Sequence, residues 1–104
     1  MTIQLNSDNN LTIHEAFRSQ LINLLSEELS RFSEKITRLE VHFSDENGQK
    51  EGQNDKQCKL EARLEGMKPI IVTNQANNHE QAVEGAIKKM KTSLNTVLGR
   101  LSNH

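Results

Sequence analysis

The chain has 104 residues, and 34% of them are hydrophobic, which is enough for one small core and not for two domains. Thirteen Lys and Arg stand against fourteen Asp and Glu, a net charge of −1 that speaks against a strongly basic nucleic-acid binder while leaving room for a local basic patch. No apolar run is long enough to span a membrane, and the first residues lack a secretory start. The single cysteine, Cys58, has no internal partner, which points to a reducing cytoplasm.

Thr2 to Asn6 alternates Ile3 and Leu5 with polar residues, so a short strand is expected. Thr12 to Ile36 has the spacing of a long helix. Thr12 and Glu15 sit at capping-box positions, and Phe17, Leu21, Leu24, Leu25, Leu29, Phe32 and Ile36 form one stripe. A second strand is expected over Thr37 to Ser44, with Leu39, Val41 and Phe43 inward and Arg38, Glu40 and His42 outward. The polar stretch Ser44 to Gln57 reads as a flexible loop or hairpin tip.

Gln57 to Gly66 is the third expected strand. Cys58, Leu60, Ala62 and Leu64 point inward, and Lys59, Glu61, Arg63 and Glu65 point outward. The β-branched run after Pro69, within Lys68 to Thr73, is the fourth. Asn78 to Leu101 is the second helix, with Asn78 and Gln81 at capping spacing and an apolar stripe from Ala82 to Leu101. Gly85 inside it either permits a close approach to the sheet or is merely tolerated.

The order β-α-β-β-β-α predicts an α+β fold: a four-stranded mixed sheet with both helices packed on one face. The whole chain, 1–104, is expected to be one domain.

No nucleophile elbow, phosphate-cradling glycine loop, dinucleotide fingerprint or zinc-protease motif is present. Cys58 alternates with core residues, so it reads as a small buried hydrophobe rather than a nucleophile. His42, Asp45, Glu46 and Asp55 match no zinc or calcium spacing and read as a solvated acidic loop. His14 and His79, each in a first helical turn, read as exposed side chains without a role. No enzyme activity, cofactor, metal or small-molecule substrate is expected.

Charge is distributed unevenly. Residues 1–52 carry five cations and nine anions, whereas residues 53–104 carry eight and five. Lys88, Lys89 and Lys91 lie off the stripe of the second helix, and Arg100 follows near its end. Such a basic end suits the helix dipole, and it also suits contact with phosphates. Arg18, Arg31 and Lys35 could extend the basic surface from the first helix, with Glu27 and Glu28 opposing it.

The element order, with I-Q-L-N and L-T-I-H-E-A-F-R near the start and E-Q-A-V-E-G-A-I-K-K-M at 80–90, resembles the ribosome hibernation-promoting and ribosome-associated inhibitor family. The segments V-H-F-S-D-E-N-G, D-K-Q-C-K-L-E-A-R and L-N-T-V-L-G-R-L resemble its short branch. The likeness covers about residues 2–101 and implies a single-domain form without the C-terminal dimerisation domain of long members.

It also implies binding to the small ribosomal subunit through basic helix side chains on rRNA, blocking translation in starvation or stationary phase. By position, Arg18 and Lys89 correspond best, with Lys88, Lys91 and Arg100 near equivalents. Ser26, Glu27 and Glu28 stand where better-known members place lysines, which keeps a second reading open: a non-catalytic protein-interaction module of the same fold that has lost rRNA binding. Self-association is left open by the sequence.

Overall fold

The computed structural model describes residues 1–7, 14–45 and 55–102, with side chains described through Gly99. The elements follow in the order β1 (Thr2–Ser7), α1 (Glu15–Glu28), β2 (Ile36–Asp45), β3 (Lys56–Leu64), β4 (Ile70–Ala76) and α2 (His79–Ser102). The sheet order is β1-β2-β3-β4; β1 pairs with β2 in parallel, and the other two pairs are antiparallel. The expected α+β architecture is therefore the observed one.

Period-two alternation decides the faces. Leu39, Val41 and Phe43 of β2 and Cys58, Leu60, Ala62 and Leu64 of β3 are buried in one cluster. Leu21 and Leu25 of α1 join it, as do Ala82, Val83, Ala86, Ile87, Met90 and Leu94 of α2. Ile3 and Leu5 pack against its border. Helix α2 lies over β3 and β4, and Phe17 of α1 meets Phe43 of β2 with ring centroids 5.9 Å apart. Both helices thus cover the same face.

The first helix is shorter than the stripe suggests. It ends at Glu28, Leu29 leaves helical geometry with φ −105° and ψ 15°, and a 3-10 turn follows over Ser30–Phe32. Leu29, Phe32 and Ile36 are nonetheless buried. A turn that keeps every third or fourth residue inward looks like a helix in sequence, while Ser30 and Ser33 weaken the helical alternative. Ile36 belongs instead to β2, where it pairs with Leu64. Thr12 of the expected capping box lies outside the described residues, and His14 stands at the N-cap without a side-chain capping bond.

Other boundaries move in the same way. Ser44 and Asp45 extend β2 and Lys56 and Gln57 begin β3, so the expected loop narrows to its interior; residues 46–54 lie outside the described ones. Gly66 leaves the third strand for the turn before β4, where its φ of +73° suits a residue without Cβ. Strand β4 runs on to Ala76, past the expected Thr73. The cap of α2 is as expected: the Gln81 N–H donates to Asn78 Oδ1 at 2.8 Å.

Candidate nucleic-acid interface

Lys88 and Lys89 are exposed on α2, one turn and less from Thr92 and Ser93. Together with Val72 and Thr73 of β4 these residues line an open groove of about 480 Å³. Lys89 Nζ donates to the Thr73 carbonyl at 2.7 Å, which ties the helix to the outermost strand. The helix can come this close because of Gly85. A Cβ there would stand 2.1 Å from Asn74 Nδ2, and that amide donates to the Ala82 carbonyl at 3.2 Å. Gly85 therefore serves close helix-to-sheet contact.

Lys91 and Arg31 occupy a different place, the seam between the helical segments. Lys91 Nζ lies 2.5 Å from Glu28 Oε2, and both side chains are partly exposed. Arg31 Nη2 donates to Asn95 Oδ1 at 3.1 Å, while its guanidinium carbon sits 5.0 Å from the Phe32 ring centroid. Lys35 is exposed in the following turn. The Arg100 side chain lies outside the described ones.

Arg18 lies toward the β1 edge of the sheet, opposite the β4 edge beside which Lys88 and Lys89 stand. It borders an open groove of about 740 Å³ with Thr2 to Leu5 of β1, Thr37 and Arg38 of β2 and Arg63 of β3. Three strand spacings separate β1 from β4, roughly 14 Å. The structure thus brings Lys88 and Lys89 together, places Lys91 and Arg31 at the neighbouring seam, and sets Arg18 apart.

Arg38 and Arg63 are among the outward strand cations that sequence reasoning left out of the basic surface. Register would have shown their meeting: Arg38 pairs with Arg63, and Glu40 with Glu61. With like charges directly opposite, the ion pairs form otherwise. Arg63 reaches Glu40 at 3.3 Å diagonally and Glu61 at 3.0 Å along its own strand, and Arg38 reaches Glu40 at 3.4 Å. The hydrogen bond from Arg63 holds the Glu61 carboxyl below its usual range.

A β-bulge between Ile36 and Arg38 breaks strict alternation. It leaves Ile36 buried and Thr37 exposed, and the Thr37 hydroxyl donates to the Arg63 carbonyl at 3.0 Å.

The remaining titratable groups sit at the other end of the sheet. Asp55 is buried and Lys56 lies between it and Asp45, at 3.5 and 2.6 Å, so these carboxylates serve an ion pair rather than a solvated loop. The hydrogen bond to Asp45 raises the Lys56 pKa. His79, expected to be exposed, is half-buried and meets the Phe43 ring edge-on at 5.2 Å. Burial first, and the Lys56 charge second, lower its pKa. Cys58 is fully buried, and burial pushes its thiol up to about 12, which makes it a core residue rather than a nucleophile. Among the described residues, no group of three His, Cys, Asp or Glu side chains converges as metal ligands would, and no helix is long and apolar enough to cross a membrane.

A profile of the family described as sigma 54 modulation protein / S30EA ribosomal protein matches residues 3–102. The chain belongs to this family. Its members are ribosome-associated and non-catalytic.

Solved structures agree on the fold. A ribosomal subunit interface protein from Coxiella burnetii superposes with a TM-score of 0.75 at 19% identity, over 95% of this chain and 99% of that one. The N-terminal domain of Thermus thermophilus Protein Y gives 0.72 at 18% identity, over 93% and 99%. No curated protein matches the sequence significantly. Within the family, then, the cationic grooves of this chain have to be read from its own residues.

Proposed function

We propose that this cytoplasmic protein regulates translation by docking on the small ribosomal subunit through its α2 lysines, in starvation or stationary phase. The observation that carries the proposal is the juxtaposition of Lys88 and Lys89 with the Thr92 and Ser93 positions along one open groove. Ammonium groups and a hydroxyl such as that of Ser93 can donate to RNA phosphates and position a protein without reading sequence, whereas the Thr92 hydroxyl already donates to the Lys88 carbonyl at 3.1 Å. Lys91 and Arg31 add cations at the neighbouring seam, Lys35 is exposed in the turn that follows it, and Arg100 comes later on α2. With no Trp or Tyr in the chain, base stacking contributes little, so charge and shape carry the binding.

The mechanism is steric: the bound domain occupies rRNA surface that other ligands of the subunit need. The whole chain as one domain would act without a covalent step.

Co-sedimentation of the full chain with purified small and large subunits, at low and raised salt, tests this reading. The protein should travel with the small subunit at low salt and be released as salt rises. Recovery only at the top of the gradient at low salt would overturn it. The pairing of Lys91 with Glu28 favours one alternative, a protein-interaction module that does not bind rRNA. Salt-insensitive capture of a protein without RNA would decide for that alternative.

A further inference from the structure

The three lysines of α2 are not equally available. Lys91 Nζ pairs with Glu28, and Lys89 Nζ donates to the Thr73 carbonyl at 2.7 Å. The Lys88 ammonium makes no hydrogen bond or ion pair with any described residue, although Glu84 stands one turn before it on the same helix.

Helix geometry explains the difference. Residues four apart share a row along a helix, and neighbours in sequence are turned by roughly 100°. Gly85 and Lys89 therefore share a row, and that row faces β4. Gly85 meets the Asn74 side chain, and Lys89 meets the carbonyl of the preceding strand residue, Thr73. Asn74 completes the contact by donating to the Ala82 carbonyl at 3.2 Å. Successive residues of the edge strand are thus joined to successive turns of the helix.

Lys88 lies one step around the helix, in the row of Glu84 and Thr92. It borders the same groove of about 480 Å³ as Lys89, but its charge is not spent on the strand. A phosphate could meet Lys88 without breaking any bond. To meet Lys89 it would have to displace a charge-assisted bond to a main-chain carbonyl, which is among the stronger kinds.

We propose, resting on the reading of this groove as an RNA surface, that its two lysines have different tasks. Lys88 is the phosphate contact. Lys89 is a positioning residue that fixes α2 against the β4 edge and so sets where Lys88 stands. Likeness to the family favours Lys89 as the contact, whereas the bond to Thr73 favours its neighbour.

The test compares variants of the full chain on purified small subunits across a salt series. Both positions are exposed, so neither change removes buried surface. Lys88→Gln should lower affinity about fivefold at low salt and flatten the salt slope by about one unit. Lys89→Gln should lower affinity about twofold and leave the slope unchanged. Lys89→Arg should restore that loss, because a guanidinium also donates to a carbonyl. In the paired variant, the second change should add less than about 1.3-fold, since a positioning residue has nothing left to position. In the free protein, the Thr73 carbonyl carbon shift should move in Lys89→Gln and stay in place in Lys88→Gln.

Equal loss of slope from both single variants, or additive losses in the pair, would overturn the proposal and make Lys89 a second contact. So would a Lys88→Gln variant that binds like the unmodified chain, or a Thr73 carbonyl unmoved in Lys89→Gln. In all of these outcomes the unmodified chain still sediments with the small subunit. If it does not, the ribosome reading falls first and this assignment falls with it.

Discussion

The two edges of the sheet differ in what the neighbouring helix does to them. At β4, α2 comes within hydrogen-bonding reach: Lys89 takes the Thr73 carbonyl, Asn74 takes the Ala82 carbonyl, and Gly85 makes room for the Asn74 amide. At β1, the α1 side chain that reaches the edge is Arg18, which lines an open groove rather than closing it. One small residue thus lets α2 bind the β4 edge. Exposed edges invite pairing, and proteins commonly cover or charge them. Here the Thr73 carbonyl of β4 receives Lys89, and β1 is bordered by Arg18 of α1.

The largest expected effect tests whether the two edges divide their labour. Reversing Lys88, Lys89 and Lys91 to Glu should lower affinity for the small subunit about a hundredfold at low salt and reduce the salt slope by two to three, roughly one unit per lost phosphate contact. Arg18→Glu should change it less than about threefold. Co-sedimentation across a salt series measures both. Equal losses from the two variants would mean that one continuous surface contacts RNA, and the comparison would collapse.

Next comes the lock on the β4 side. Gly85→Ala should drive Asn74 from its place, since a Cβ would stand 2.6 Å from Asn74 Cγ. The lost hydrogen bond and displaced amide outweigh the gain in helix propensity, for a net destabilisation of about 1–2 kcal/mol. Thermal melts should show a drop of roughly 4–15 °C in a domain of this size. Asn74→Ala in the same chain should recover most of it, because the two positions are in contact and will not be additive. Cys58, paired in register with Asn74, supplies a second readout: its buried thiol should react faster with a disulfide reagent in G85A and return toward the slow native rate in the double variant.

Much of this contrast was legible before any coordinates. The alternation of Leu39, Val41 and Phe43, and of Cys58, Leu60, Ala62 and Leu64, identified two strands and their inward faces, because a half-wet sheet imposes period two. Asn78 and Gln81 announced the start of α2.

The end of α1 was not legible. Leu29, Phe32 and Ile36 keep helical spacing while passing through a 3-10 turn into β2, and burial demands the same residue types in either geometry. Nor was the β1 groove. Arg18, Arg38 and Arg63 are distant in sequence, and their meeting depends on the parallel pairing of β1 with β2 and on a one-residue bulge that spacing alone does not reveal. The basic residues of α2 could be named, but not divided between a groove and a seam, because that division depends on which one faces Glu28 and which one Thr73.

A smaller effect is expected at the end of the sheet where α2 begins. The imidazole of His79 is held below its ordinary value of 6.5 by burial and by Lys56, with Asp45 and Asp55 opposing. A depressed histidine means that the unfolded chain binds the extra proton more readily. Stability is therefore fully present above about pH 6.5 and falls as pH drops through that value toward the folded pKa. Urea midpoints between pH 7.5 and pH 5 should show a shallow decline, and His79→Gln should flatten its upper part. A midpoint that rises on acidification over the same range would place the imidazole beside net negative charge and refute this account.

The smallest effect concerns the seam, where Lys91 pairs with a carboxylate that would compete with any phosphate. Glu28 and Lys91 are both partly exposed, so their pairing contributes less than about 0.5 kcal/mol to stability. Glu28→Gln should leave the melting temperature within about 4 °C. Its effect on binding should be larger than its effect on folding, because a phosphate no longer has to displace a carboxylate or approach one. Affinity for the small subunit should rise about two- to threefold at low salt, and the gain should vanish as salt screens both the pair and its competitor. Lys91→Gln in the same chain should cancel the gain if it arises from the freed ammonium. A gain that persists without Lys91 would instead reflect simple removal of a negative charge near the RNA. In either case Glu28 tunes the α2 surface, whereas Arg18, toward the opposite edge, has no carboxylate partner among the described residues.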